Sequence, residues 1–209
     1  MKILLADDHE VVRRGLKQML GEEFGAIDYG EAGSAAETLS RLHERAWDLL
    51  VLDINMPGRS GLDVLAELKL RQPDLRILVL SMAPEEEYAI RALKKGASGY
   101  LSKQSVATDL IDAVRKILKG GLYITPAVAE QLAAGLGNHA TEEPHEQLSD
   151  RELQVMRMIA VGKSIKEIAA ELALSDKTVF TYRDRLRAKL GLKGDVELAR
   201  YALQHHLVD

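Results

Sequence analysis

The sequence predicts an α/β fold, a doubly wound five-stranded parallel sheet, followed by a small all-α domain of helix-turn-helix type. Three observations lead there. Over the first 120 residues, five short β-rich runs alternate strictly with five longer amphipathic stretches, the signature of successive βα units with helices on both faces of one sheet. The runs are nearly continuous in apolar residues, as strands covered on both sides can be, because neither face meets water. After a polar stretch broken by proline, the chain turns to helical periodicity and keeps it.

In chain order the predicted strands are KILLA (2–6), AIDYGEA (26–32), DLLVLD (48–53), RILVLS (76–81) and SGYLS (98–102). Helices are predicted over 10–19, 34–45, 61–71, 85–95 and 107–119, with Ser34 placed to cap the second and Gly96 to close the fourth. GGLYITPAVAEQLAAGLG (120–137) reads as a turn, a short extended piece and a helix opening on Pro126, whose missing N–H has no helical partner at that position anyway. NHATEEPHEQ (138–147), acidic and interrupted by Pro144, reads as exposed linker. The division expected is therefore 1–120, a linker with a short helix over 121–147, and 148–209.

From Leu148 the signals are helical. Ser149 with Glu152, and Ser164 with Glu167, stand at capping-box spacing. Ile165, Ile168, Ala169 and Leu172 form one apolar face; after a very short break at Leu174, Ser175 can cap DKTVFTYRDRLRAKLG, whose apolar stripe is Val179, Tyr182, Leu186 and Leu190. A last helix spans about 195–206. His205 and His206 are adjacent and cannot share one helical face, so no metal site is expected there.

Composition narrows the class. Of the 209 residues 46% are hydrophobic and 29% charged, the balance of a soluble globular protein long enough for two cores. The absence of cysteine excludes disulfides, thiolate zinc sites and cysteine nucleophiles, and fits a reducing cytoplasm. The apolar stretch of MKILLADDHE is too short for a signal-peptide core, and no segment approaches the roughly 18–20 apolar residues of a membrane span. Residues 1–120 hold 17 Lys and Arg against 19 Asp and Glu, residues 121–148 none against 4, and residues 149–209 11 against 9. Only the last section is net positive, which hints at a polyanion partner.

In an open parallel sheet, ligands bind beyond the carboxyl ends of the strands, where strand order reverses. Those ends carry Asp7 and Asp8, Asp53, Ser81 and Lys103. A lone acid after a strand reads as a solvated cap; five such residues at four strand ends do not. With order 2-1-3-4-5, three carboxylates crowd one crevice and raise one another's pKa unless a cation intervenes. Lys103 and a divalent metal are the candidates, and an all-oxygen donor set favours Mg2+. A carboxylate beside a metal, an ammonium and a hydroxyl suits phosphoryl transfer to Asp: Asp53 attacks phosphorus, while Lys103 and Ser81 neutralise or bind the equatorial oxygens. The Pro/Gly loop INMPG behind Asp53 can turn the Asn55 carbonyl towards the metal.

LLADDHEVVRRGL, DLLVLDINMPGRSGLDVL, RILVLS and KKGASGYLSK together resemble the flavodoxin-like receiver domain of bacterial two-component response regulators, over about 120 residues in the right order. The resemblance implies Asp53 as phosphoacceptor, Mg2+ on Asp8, Asp53 and the Asn55 backbone carbonyl with Asp7 acting through water, and Ser81 and Lys103 on the phosphoryl group. It also implies that Tyr100 is the aromatic switch residue moving with Ser81. One departure is Gln104, where many receivers carry proline.

The paired helices after Ser164 make a helix-turn-helix candidate. With Val179, Tyr182, Leu186 and Leu190 facing in, Lys177, Thr181, Asp184 and Ala188 face out; Phe180 and Arg187 flank one side, Arg185 the other, and Arg183 lies near the buried margin. Contacts to DNA are expected from Lys177, Thr178, Phe180, Thr181, Arg183, Asp184, Arg185 and Arg187, the cations on phosphates or guanines, Thr181 and Asp184 on base edges. LSDRELQVMRMIAVGKSIKEIAAELALSDKTVFTYRDRLRAKLGL is similar to the LuxR-type DNA-binding domain, placing the chain in the NarL/FixJ class. That class often has Lys at position 180 and His at 182, and its last helix usually supplies the dimer contact; here Val196, Ala199, Tyr201, Ala202 and Leu203 suit either that contact or packing in the domain's own core.

What the two resemblances imply is a phosphorylation-dependent transcription regulator. It would accept phosphate from a sensor histidine kinase or a small phosphodonor, bind double-stranded promoter DNA as a homodimer, and be no enzyme beyond Mg2+-dependent self-phosphorylation and autodephosphorylation. Two other classes stay open on the residues alone. A phosphatase working through an aspartyl-phosphate calls for an Asp-x-Asp motif on the first strand and a cap insertion, and neither is visible. A module that associates with proteins and never touches DNA is the other.

Overall fold

The computed structural model describes residues 1–56, 59–82, 85–137, 144–205 and 207–208. Pro57, Gly58, Ala83, Pro84, the stretch 138–143, His206 and Asp209 lie outside the described residues. The chain divides into two compact units, Met1–Asn138 and His139–Asp209.

The first unit is built on five parallel strands, β1 (Lys2–Ala6), β2 (Asp28–Ala32), β3 (Leu49–Asp53), β4 (Ile77–Ser81) and β5 (Gly99–Ser102), in the order β2-β1-β3-β4-β5. Every residue of β3 and β4 is buried. Alternation divides them between two faces. Ile3, Leu5, Leu49, Val51, Leu78 and Leu80 pack with Leu16 and Leu20 of α1 (Glu10–Phe24) and Leu110, Val114 and Ile117 of α5 (Val106–Leu118). Leu4, Leu50, Leu52, Ile77 and Val79 point the other way, the side of α2 (Ala35–Glu44), α3 (Gly61–Arg71) and α4 (Glu85–Lys94), and are equally buried. Each such side chain contributes roughly 1.5–3 kcal/mol.

The predicted elements all form, with one longer than expected. Helix α1 runs to Phe24 and not to 19, because Leu20 is fully buried and Met19 and Phe24 pack on the same core, which outweighs the cost of about 1 kcal/mol for Gly21 within the helix. It stops at Gly25, whose φ of 73° is left-handed territory. Ser34 caps α2 by accepting from the Glu37 N–H. Tyr123 bridges Gly99 of β5, and α6 (Pro126–Gly137) packs against α4, so the segment after α5 folds with this unit.

The second unit holds α7 (Asp150–Ala160), α8 (Ile165–Glu171), α9 (Asp176–Leu190) and α10 (Asp195–Gln204), preceded by a 3-10 turn at Pro144–Gln147. Both expected capping boxes are present, and Ser175 caps α9 by accepting from the Thr178 N–H. Helix α7 packs on α10 and α9, and α8 on α9. Ile168, Ala169, Val179, Leu186, Leu198 and Ala202 are buried. The α8–α9 break is a Schellman motif: Leu174 N–H donates to Ala169 O at 2.8 Å and Ala173 N–H to Ala170 O at 3.3 Å, with Ala173 at φ 51°.

Candidate functional site

Parallel register places the ends of β1, β3, β4 and β5 side by side, since Ala6 pairs with Leu52, Asp53 with Leu80 and Ser81 with Ser102. Asp7 and Asp53 therefore open into one crevice, and both are buried, with 2% and 1% of their surface exposed. Lys103 Nζ lies between them, 2.6 Å from Asp7 Oδ2 and 2.7 Å from Asp53 Oδ2. Its backbone is fixed by an N–H donated to Ser81 O at 2.8 Å.

The loop after Asp53 folds back on it. The Asn55 N–H donates to Asp53 Oδ1 at 2.8 Å, and the Asn55 amide donates to Ser81 Oγ at 3.0 Å. Gly61 makes this path possible: its N–H donates to Ile54 O at 3.2 Å, and a Cβ at this position would meet Ile54 Cα at 2.4 Å and Asp53 O at 2.8 Å. Tyr100 is buried behind Ser81 and hydrogen-bonds to it, and burial pushes its phenol well above the usual tyrosine range.

The electrostatics of the crevice are those of crowded carboxylates around a single ammonium. Burial raises the Asp53 pKa, opposed by Lys103 and the Asn55 N–H and assisted by the neighbouring charge of Asp7. Burial pulls Lys103 down, yet its bonds to Asp53 and Asp7 more than reverse this and leave its pKa raised. Three carboxylates face one lysine, which is a charge imbalance a divalent cation would correct. Asp7, Asp8, His9 and Asp53 each offer a donor atom within 4.8 Å of one another, and the donors are mostly carboxylate oxygen. Such a set fits a hard cation.

Three contacts have no precedent in the sequence reading. His9 donates its N–H to Asp7 Oδ1 at 2.8 Å, and its exposed ring stands 2.9 Å from Asp8 Oδ1. Arg13 Nη1 donates to Asp7 O at 2.6 Å and its Nε to Glu31 Oε2 at 2.9 Å. The Asn55 amide reaches Ser81. Position next to Asp8 was the available signal for His9; the reach of Arg13 to Asp7 and to Glu31 on β2, and of Asn55 to Ser81 at the end of β4, depends on tertiary packing.

In the second unit, α9 presents Lys177, Phe180, Thr181, Asp184, Arg185 and Ala188 to solvent, while Val179 and Leu186 are fully buried. Thr178 is half-buried and its hydroxyl lies 2.8 Å from Ser175 Oγ in the cap. Arg187 donates to Asp195 Oδ1 at 2.6 Å, and Arg183 stands 3.7 Å from the other oxygen of Asp195 and stacks over Phe180 at 4.6 Å. Of the cations on α9, Lys177 and Arg185 make no ion pair among the described residues, so they are the least encumbered for an external anion.

Residues 3–115 match the model of the response regulator receiver domain, and residues 146–202 that of the bacterial regulatory proteins of the luxR family. The chain belongs to the response regulators. Across its whole length it is 36% identical to the response regulator GacA of Pseudomonas aeruginosa, of which it covers 98%, and over 99% of its length it is 36% identical to UvrY of Escherichia coli, of which it covers 95%. Among solved structures it resembles the response regulator RcsB of Salmonella enterica serovar Typhimurium bound to promoter rprA in the presence of phosphomimetic BeF3-. That match has 28% identity and a TM-score of 0.64, and spans 96% of this chain and 97% of that one. A structure of two RcsB dimers bound to two parallel DNAs is similar at 28% identity and a TM-score of 0.59, with the same coverage. As a response regulator with a LuxR-type DNA-binding domain, the chain carries its acidic crevice within the receiver match, and α7, α8 and α9 within the luxR match. No helix of the described residues is long and apolar enough to cross a membrane.

Proposed function

We propose that this response regulator accepts a phosphoryl group on Asp53 and, once phosphorylated, binds promoter DNA as a homodimer. The observation that carries the reading is the position of Asp53, buried at the crevice end of β3 with Lys103 Nζ at 2.7 Å and Ser81 linked to it through Asn55. A carboxylate oxygen of Asp53 attacks phosphorus, the bond from phosphorus to the donor's imidazole nitrogen or acyl oxygen breaks, and the product is an aspartyl phosphate. Lys103 supplies positive charge to one equatorial oxygen and Ser81 a hydroxyl donor to another. Asp8, Asp53 and the Asn55 carbonyl, with Asp7 through water, would hold Mg2+, which when bound neutralises charge on the phosphoryl oxygens. Water later cleaves the acyl phosphate, and beyond these two reactions of its own aspartate the protein catalyses nothing.

Tyr100 moves with Ser81 as the switch. Residues 1–120 act as receiver and 148–209 as the DNA-binding domain, and the 121–147 stretch joins them, its short helix α6 packed on α4 of the receiver. Lys177, Arg183, Arg185 and Arg187 serve phosphates or guanines, and Thr178, Phe180, Thr181 and Asp184 complete the surface that enters the major groove. The donor is a sensor histidine kinase and the compartment the cytoplasm. Treating the full chain with acetyl phosphate and Mg2+, then measuring its mass in solution and its retention of duplex DNA, tests the scheme. Dimerisation together with tighter retention is expected; failure to bind duplex DNA in either state overturns it.

A further inference from the structure

We infer that Phe180, together with the methyl group of Thr181, reads thymine C5-methyl groups in the major groove and so sets which sequences this regulator prefers. The inference deepens the DNA-binding reading and rests on it. Phe180 is one of two phenylalanines in the chain, and 43% of its surface is exposed. It is the fifth residue of α9, and in a helix-turn-helix the first half of the second helix is the part that reaches base edges.

Its neighbours decide how it is presented. The Arg183 guanidinium lies over the ring at 4.6 Å, and Arg183 is itself held near Asp195 at 3.7 Å and Asp184 at 3.8 Å. One face of the ring is thus covered by a tethered cation, which leaves its other face and its edge to an external partner. Beside it, the Thr181 hydroxyl donates to Lys177 O at 2.9 Å, so its donor is spent within the helix and its methyl is the distinctive group left to offer. Phe180 and Thr181 form an apolar step on a face otherwise made of Lys177, Asp184 and Arg185.

A base edge that rewards an apolar step is thymine, whose C5-methyl is the only apolar group in the major-groove code. Phenylalanine has no donor or acceptor with which to read any other base. The adjacent Asp184, exposed and acceptor-only, suits an amino group of cytosine or adenine on a neighbouring pair.

Deoxyuridine in place of thymine removes the methyl and leaves pairing intact, which makes the test direct. Duplexes enriched from a random pool by the full chain, phosphorylated with acetyl phosphate and Mg2+, are resynthesised with each thymine replaced in turn. The wild type should lose roughly three- to tenfold in affinity at one or two positions. In Phe180→Ala the thymine-to-uracil ratio at one of those positions should fall to about one. A purely structural role for Phe180 would lower the melting temperature and leave that ratio unchanged, and this result overturns the inference, as does a wild type indifferent to every replacement. Either of these leaves DNA binding itself standing, whereas absence of any duplex binding removes the DNA-binding reading and the inference with it.

Discussion

Lys103 stands between two buried carboxylates, 2.6 Å from Asp7 and 2.7 Å from Asp53, and its positive charge offsets the repulsion of placing them in one crevice. Lys103→Met leaves them facing each other without a cation, and the full chain should lose about 3–5 kcal/mol at neutral pH by urea unfolding. The sign of the pH dependence follows from the raised values. Asp53, raised above 3.8 by burial, costs stability as pH rises through its folded value, and loss of Lys103 enlarges that cost, so the variant's deficit should shrink as pH falls towards 4. In the wild type the raised Lys103 contributes stability that is complete below 10.5 and lost as pH climbs through its folded value. Much of this site was legible in the sequence, because strand-end positions follow from the βα pattern and bring Asp7, Asp53, Ser81 and Lys103 together without any knowledge of packing. The Arg13 and Asn55 contacts were not, since they depend on which side chains reach across neighbouring elements.

At the scale of elements, local signals and observed boundaries agree where capping chemistry is explicit. Ser34, Ser149, Ser164 and Ser175 all accept the N–H bonds that their spacing predicted. Helix α1 runs past the predicted residue 19 because the burial of Leu20 and the packing of Phe24 that extend it are tertiary facts. The turn between α8 and α9 was anticipated as short, but nothing in ALS announces a left-handed residue. Ala173 at φ 51° pays a penalty there that glycine avoids. Ala173→Gly should therefore raise the stability of the second unit by roughly 0.5–1 kcal/mol, after allowance for the greater freedom of the unfolded chain. Differential scanning calorimetry of the full chain reads the shift.

For the whole molecule, the net charge of -4 conceals a functional division. The acidic crevice belongs to the first unit, and the surplus of cations to the second, on α9. The ion pairs sort those cations in a way that sequence could not. Arg185 is exposed and makes no ion pair among the described residues, whereas Arg187 is fastened to Asp195 at 2.6 Å. Arg185→Ala should flatten the dependence of log affinity on log salt by about 0.9, the value for one phosphate contact, while Arg187→Ala should lower thermal stability with a smaller change in slope. Binding of a random duplex across a salt series, set beside melting curves of both variants, separates the two outcomes.

The central claim is that the covalent state of Asp53 is what the rest of the chain responds to. Wild type and Asp53→Asn, each incubated with acetyl phosphate and Mg2+, can be compared by intact mass and by mapping the modified peptide. One phosphoryl group on the wild type, located at Asp53 and missing from Asp53→Asn, is the result predicted. Undiminished uptake by Asp53→Asn, or phosphate mapped to Asp7 or Asp8, would contradict it.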